Sequence, residues 1–111
     1  MQYERPRQVT AEEAAATFHS GQPREIAETL IAASLSLQDR EWVEQWLIHF
    51  SAHPASDVRR AAALSLGHLA RLHRQVSPQA VEAVGQLRDD QSLSGAAADA
   101  LEDVEIFTRD S

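Results

Sequence analysis

Cysteine is absent from the 111 residues, and so is lysine. Without cysteine the chain has no disulfide framework, no thiolate nucleophile and no thiolate-held zinc or iron–sulfur site. With arginine as the sole fixed cation and a formal net charge of −7, the clustered positive charge that coats nucleic acid by counterion release is missing too. Aromatic residues are scarce at 5%, so a thick β-sandwich core is not expected. Uncharged runs reach only about ten residues, half of a membrane span. The polar start Met1-Gln2-Tyr3-Glu4-Arg5-Pro6-Arg7 is not followed by the apolar stretch of a signal peptide. These absences predict a soluble, cytoplasmic protein that neither enters a membrane nor binds nucleic acid.

What the chain has in quantity is alanine, 19 residues of it. Alanine has the highest helix propensity and lets helices approach closely, so thin layers of packed helices are expected. Residues 1–9 read as a flexible leader to one domain spanning residues 10–111. Thr10 with Glu13 makes a capping box for a first helix ending near Ser20-Gly21. Pro23 opens a second, with Ile26, Ala27, Leu30, Ala33 and Leu37 at helical spacing. Asp39 caps a third, whose apolar face is Trp42, Val43, Trp46, Leu47 and Phe50 with Glu41, Glu44 and Gln45 opposite. His53-Pro54 stops it. Asp57 caps the longest helix, which faces inward with Val58, Ala61, Ala62, Ser65, Leu66, Leu69 and His73. Ser77-Pro78 begins a fifth, carried by Val81, Val84 and Leu87 to Asp89-Asp90. The last runs from about Ser92 to Phe107, with Leu93, Ala97, Ala100, Leu101, Val104 and Phe107 inward.

Shifting Val58–Leu69 by 35 residues lays it on Leu93–Val104 with the apolar positions matched. The same shift backward puts Ile26, Ala27 and Ile31 on Ala61, Ala62 and Leu66. A period of this length built from helix pairs marks an all-α fold, a short α-solenoid of about three antiparallel hairpins. The segment from His53 through Asp57-Val58-Arg59-Arg60 to Gly67 resembles a HEAT repeat, and Asp90 to Leu101 resembles a degenerate second copy lacking the arginine. The resemblance covers residues 41–107 and implies an array that binds partners. Two further segments, Gly67-His68-Leu69-Ala70-Arg71-Leu72-His73 and Ala100-Leu101-Glu102-Asp103-Val104-Glu105-Ile106-Phe107, are similar to those of small bacterial HEAT-like immunity proteins encoded beside polymorphic or contact-dependent toxins. That likeness implies a toxin inhibitor with a protein toxin as partner.

Candidate chemistry is thin. His49 and His53 share a helix side, but no third ligand stands at a fixed spacing and no His-Glu-x-x-His occurs, so satisfied structural histidines are the better reading than metal ligands. No serine elbow or glycine-rich phosphate loop is present. The pairs Asp89-Asp90 and Glu102-Asp103 read as solvated caps before they read as acid–base machinery. No catalytic residue, metal or cofactor is assigned.

Charge is more informative. Residues 1–75 hold nine acids and eight arginines, a balance of −1; residues 76–111 hold eight acids and two arginines, a balance of −6. On the last helix Asp99, Glu102, Asp103 and Ile106 group opposite the apolar face. Such a face is either solvated surface or an interface, and Ile106 ringed by carboxylates favours an anchor for a partner. The preceding repeat helix presents Arg60, Ala63, Leu64, Gly67 and Arg71 away from its core, so arginines on one helix should line up beside carboxylates on the next, with His68 and Asp103 at equivalent positions. Trp46 belongs to the core by periodicity. Trp42 lies at its rim, open to either role. The sequence therefore points to a non-enzymatic binding protein that neutralises a basic toxin domain, a nuclease by the sign of its surface, through Asp99, Glu102, Asp103, Ile106, Arg60, Leu64, Arg71 and Trp42. The alternatives are a HEAT-like adaptor or scaffold with no toxin partner, and an enzyme or metal protein using His49, His53 or the Glu102-Asp103 pair.

Overall fold

A computed structural model describes residues 8–109. Every regular element among them is helical: α1 (Ala11–Ser20), α2 (Pro23–Ser36), α3 (Arg40–Phe50), α4 (Ser56–His73), α5 (Pro78–Gly85), which tightens into a 3-10 turn over Gln86–Asp89, and α6 (Ser94–Phe107). The helices form three pairs in two layers. The even helices lie side by side, with α4 packed between α2 and α6, and the odd helices back them.

Local chemistry sets the boundaries. The Thr10 hydroxyl accepts from Glu13 N while the Glu13 carboxylate takes the Thr10 N–H, closing the expected capping box. Glu25 accepts the Gln22 N–H at 2.9 Å where α2 opens at Pro23. Asp39 accepts from Trp42 N at 3.1 Å, and Ser77 caps α5 through Ala80 N. Asp57 departs from expectation. Helix α4 begins at Ser56 after Ala55, which has no side chain able to cap, and Asp57 sits inside the first turn, where its charge favours the helix dipole. The junction is satisfied instead by Arg59, which donates to the His53 and Pro54 carbonyls at 2.7 and 2.8 Å, and by His53 Nδ1, which accepts from Ala55 N.

The core follows the repeat. Val58 and Leu93, matched by the 35-residue shift, are both fully buried, as are Ala62 and Ala97. Of the expected leader, residues 1–7 lie outside the described residues, and Val9 is buried against the core. The expected polar side of α3 is also corrected. Glu44 is buried, held by Arg40 at 2.8 Å, and accepts the Ser77 N–H at 2.6 Å. Periodicity alone placed it in water because the start of α5, 33 residues on, is what covers it.

Candidate partner-binding surface

The α4–α6 seam is built from arginines of α4 and its C-cap that meet groups on α6 and on the turn just before it. Arg59 reaches Asp90 at 3.1 Å, Arg60 donates to the Ser92 carbonyl at 3.0 Å, Arg71 pairs with Asp103 at 2.8 Å, and Arg74 stands 5.3 Å from the Phe107 ring centroid. These contacts step along both helices in the same direction, so α4 and α6 run parallel and in register. The expected juxtaposition of arginines with carboxylates is therefore present, but it is used within the fold. Asp90 is held below the usual carboxylate range by the Ser92 hydroxyl, then by the Ser92 N–H, with Arg59 adding to them.

Ala63 and Gly67 are not solvent-facing as the helical wheel suggested. Both are buried, because α6 closes over that flank of α4. A Cβ on Gly67 would lie 3.7 Å from Ala100 Cα and 3.0 Å from Asp103 Oδ2, so the small residues set how closely the helices approach. Asp103 Oδ2 accepts its hydrogen bond from Arg71 Nη2 and not from His68. His68, half-buried on the same helix, has its pKa pushed down by burial and by Arg71, with Asp103 opposing.

What remains exposed on this seam is Arg60, Leu64 and Arg71 on α4 and Asp99, Glu102 and Ile106 on α6. Asp99 and Glu102 form no ion pair among the described residues, so their charge is free for a partner, whereas the Asp103 side chain is only 18% exposed. Trp42 is not part of this group. It lies half-buried in the odd layer with Phe18 at 6.3 Å and Trp46 at 6.2 Å. Trp46 stacks on Phe50 at 5.7 Å, but one edge lines an open depression with His19, Gln45 and His49, so it packs on the core without being enclosed by it. Among the described residues no group of three His, Asp or Glu is arranged to hold a metal ion, and no helix is long and apolar enough to cross a membrane.

The fold is similar to that of a chain in a solved structure, the crystal structure of a CDI complex from Cupriavidus taiwanensis LMG 19424. The two chains are 31% identical and superpose with a TM-score of 0.82, over 96% of this chain and 97% of that one. This chain belongs to the family of that CDI-complex protein. No protein-family model matches the chain, and no curated protein does. Coverage this complete extends the CDI-complex family likeness to both helix layers.

The sequence overlooked four residues that shape the surface. Leu35 and Leu72 are large apolar side chains exposed on the even layer, Glu44 is a buried brace, and Arg74 adopts a left-handed backbone (φ 58°) that carries its side chain onto Phe107. The repeat register does not reveal Leu35 or Leu72, since a 35-residue shift lays Leu35 on buried Ala70 and Leu72 on Phe107.

Proposed function

We propose that this chain is the immunity partner in a contact-dependent inhibition pair: a cytoplasmic binding protein that neutralises a cognate toxin domain by covering that domain's basic substrate surface. The observation that carries the reading is the likeness, over nearly the whole chain, to a protein solved in a CDI complex. The charge pattern supports taking the inhibitor's side of such a pair. Six of the seven excess negative charges lie beyond residue 75, and Asp99 and Glu102 stand unpaired around half-exposed Ile106. A cationic domain meets complementary potential there, which speeds encounter, while Ile106 and Leu64 bury on contact and slow release. A nuclease fits as the target because a surface that holds nucleic acid is itself cationic.

Binding needs no bond-making chemistry. Arg59, Arg60 and Arg71 fix α6 on α4 before the partner arrives, so little ordering remains to be done on association. Arg60, Leu64 and Arg71 would border the contact and Asp99, Glu102 and Ile106 would centre it. Asp103 acts through Arg71, holding the helix that carries the others. Trp42, in the other layer, would touch a partner only at the edge of the contact.

The reading expects a gene for a large exported protein next to this one, and the test is co-expression with the C-terminal domain of that protein. The reading expects a stable one-to-one complex and loss of the domain's activity, nuclease activity first, with stoichiometric addition. A domain that remains fully active beside excess protein sinks the reading and favours an adaptor role for the same helical stack.

A further inference from the structure

The chain has six aromatic residues, and four of them gather on the odd layer. Phe18 of α1 and Trp42, Trp46 and Phe50 of α3 have neighbouring ring centroids 4.7 to 6.3 Å apart. Phe18 and Phe50 are buried, whereas Trp42 and Trp46 are left half-open. His19 and His49 stand upright against Trp46, at 85° and 86° to its plane, and with Gln45 they line the depression between α1 and α3. Among the described residues the side chains of Trp42, Trp46, Gln45, His19 and His49 make no hydrogen bond. An indole N–H ordinarily finds a partner when its ring is packed away, and tryptophan collects at protein interfaces where one end stays polar.

No fixed charge lines that depression. Glu12 and Glu13 lie at the far end of α1, and Arg24 of α2 is turned onto Glu28 at 3.2 Å. Arg40 is held by Glu44, and Arg59 is spent on Asp90 and on the carbonyls of His53 and Pro54. Gln45 is the middle residue of α3 (Arg40–Phe50). Glu41 stands one turn before it, with Arg40 at 3.8 Å, and His49 one turn after it; all three are exposed. A second copy turned end for end about a two-fold axis at Gln45 meets Gln45 with Gln45 and Glu41 with His49. A two-fold contact has to be self-complementary. An amide both donates and accepts, as does a neutral imidazole, so Gln45 can pair with itself and the Glu41 carboxylate can accept from the His49 ring. Trp46, one residue from the axis, comes against its own copy.

We propose that the outer face of α3 is an interface between two copies of this chain, with the two α3 helices antiparallel and crossing at Gln45. The chain extends 35 × 31 × 30 Å, so a broad face of it can supply the roughly 800 Å² per partner of a standard interface. The net charge of −7 opposes association only weakly. Six of those units lie beyond residue 75, where α5 of the odd layer carries only Glu82, and at physiological salt charges are screened over about 8 Å. A copy laid on α6 instead would set carboxylate against carboxylate. The α4–α6 seam belongs to the other layer and stays open, so the pair would present two partner surfaces. The inference stands apart from the immunity reading and is tested without the partner.

The experiment is sedimentation equilibrium of the full chain alone, up to about 100 μM, well above a micromolar dissociation constant. The parent should dimerise. Gln45→Lys and Gln45→Glu each set like charge against itself at the axis and should weaken self-association at least about tenfold, while an equimolar mixture of the two restores it. Because the chain has no cysteine, introduced ones report position. Gln45→Cys should cross-link to itself on oxidation, and Glu41→Cys to His49→Cys but not to itself, since a disulfide needs Cα atoms within about 7 Å. A parent that stays monomeric throughout overturns the proposal and leaves the immunity reading, whose test is partner binding, untouched. A dimer that both Gln45 replacements leave intact has its interface elsewhere and overturns it too. Self-cross-linking of Glu41→Cys would make the helices parallel and overturn the antiparallel pairing.

Discussion

Arg71 Nη2 lies 2.8 Å from Asp103 Oδ2, directly beside Gly67, so that a single ion pair spans α4 and α6 where Gly67 faces Ala100. The pair is half in water, with the Arg71 side chain 52% exposed, and its own contribution to stability is below about 1 kcal/mol. Its effect is positional. It withdraws one carboxylate from the acidic face of α6 and leaves Asp99 and Glu102 as the unpaired charges there, and it places a guanidinium beside His68.

The space at Gly67 gives the first prediction. Gly67→Ala puts a Cβ 3.0 Å from Asp103 Oδ2, which as a side-chain end can yield by a few tenths of an ångström. The strain is offset by a gain of about 1 kcal/mol in helix propensity. Urea unfolding should find this variant within about 1 kcal/mol of the parent. Gly67→Leu has nowhere to go except into Ala100, and it should destabilise by about 1–3 kcal/mol through overpacking. A Gly67→Leu protein as stable as the parent would show that α6 does not approach α4 as described.

The pKa of His68 lies below its ordinary value of 6.5, first because of burial, then because of Arg71, with Asp103 opposing. The folded state thus prefers the neutral ring, and between the folded pKa and 6.5 the unfolded chain binds more protons. By linkage, stability from this site is fully present above 6.5 and is lost as pH falls from 6.5 through the folded pKa. An NMR titration should find the His68 midpoint below 6.5 in the parent protein. Arg71→Gln should raise the midpoint, and Asp103→Asn should lower it further. An unmoved midpoint in Arg71→Gln would contradict the assigned cause.

Glu44 joins α3 to α5, receiving Arg40 from its own helix at 2.8 Å and the Ser77 N–H of the α5 cap at 2.6 Å. Glu44→Ala leaves a guanidinium that is only 15% exposed with exposed Glu41 at 3.8 Å as its remaining partner, and leaves a backbone donor unpaired. Removing one partner of such a buried pair costs about 3–5 kcal/mol. Glu44→Gln keeps an acceptor for Ser77 and should cost less. Replacing Arg40 and Glu44 together with Met and Leu should restore much of the loss, since no charge is then stranded. Equal destabilisation by the single and the double replacement would rule out this account.

The fold was readable where each residue's role is settled within a turn or two of its own position. Thr10, Asp39 and Ser77 are caps within three residues of the N–H they satisfy, and the burial of Val58 and Leu93 follows from spacing along one helix. The misreadings have a common physical origin in contacts made across sequence. Glu44 sits on the polar side of the α3 wheel but is covered by the start of α5. Ala63 and Gly67 face away from the core of α4 but are covered by α6. Asp57 is the exception, a local one: Arg59 and His53, within four residues of it, satisfy the α3–α4 junction in its place. The arginine–carboxylate ridge was legible in outline from the helical register. Which members are spent inside the fold and which are left free was not, because that depends on ångström distances between helices. The resulting division, Asp103 bound and Asp99 and Glu102 free, makes the three carboxylates distinguishable by experiment.

Reversing Asp99 and Glu102 together to lysine changes the free charge of α6 without disturbing an internal ion pair. The expected result is a fall in association rate with the toxin domain of about tenfold or more at low salt, shrinking toward parity near 1 M salt, where the screening length is about 3 Å. Dissociation should change less, because steering acts on encounter. Asp103→Lys behaves differently, since it sets two cations against each other across the α4–α6 seam. It should lower the urea midpoint, which D99K/E102K leaves in place, and its loss of binding should persist at high salt. Stopped-flow association over a salt series, with unfolding curves of the same proteins, measures both. A parent association rate that is indifferent to salt would remove electrostatic steering from the account and leave the apolar anchors to carry recognition alone.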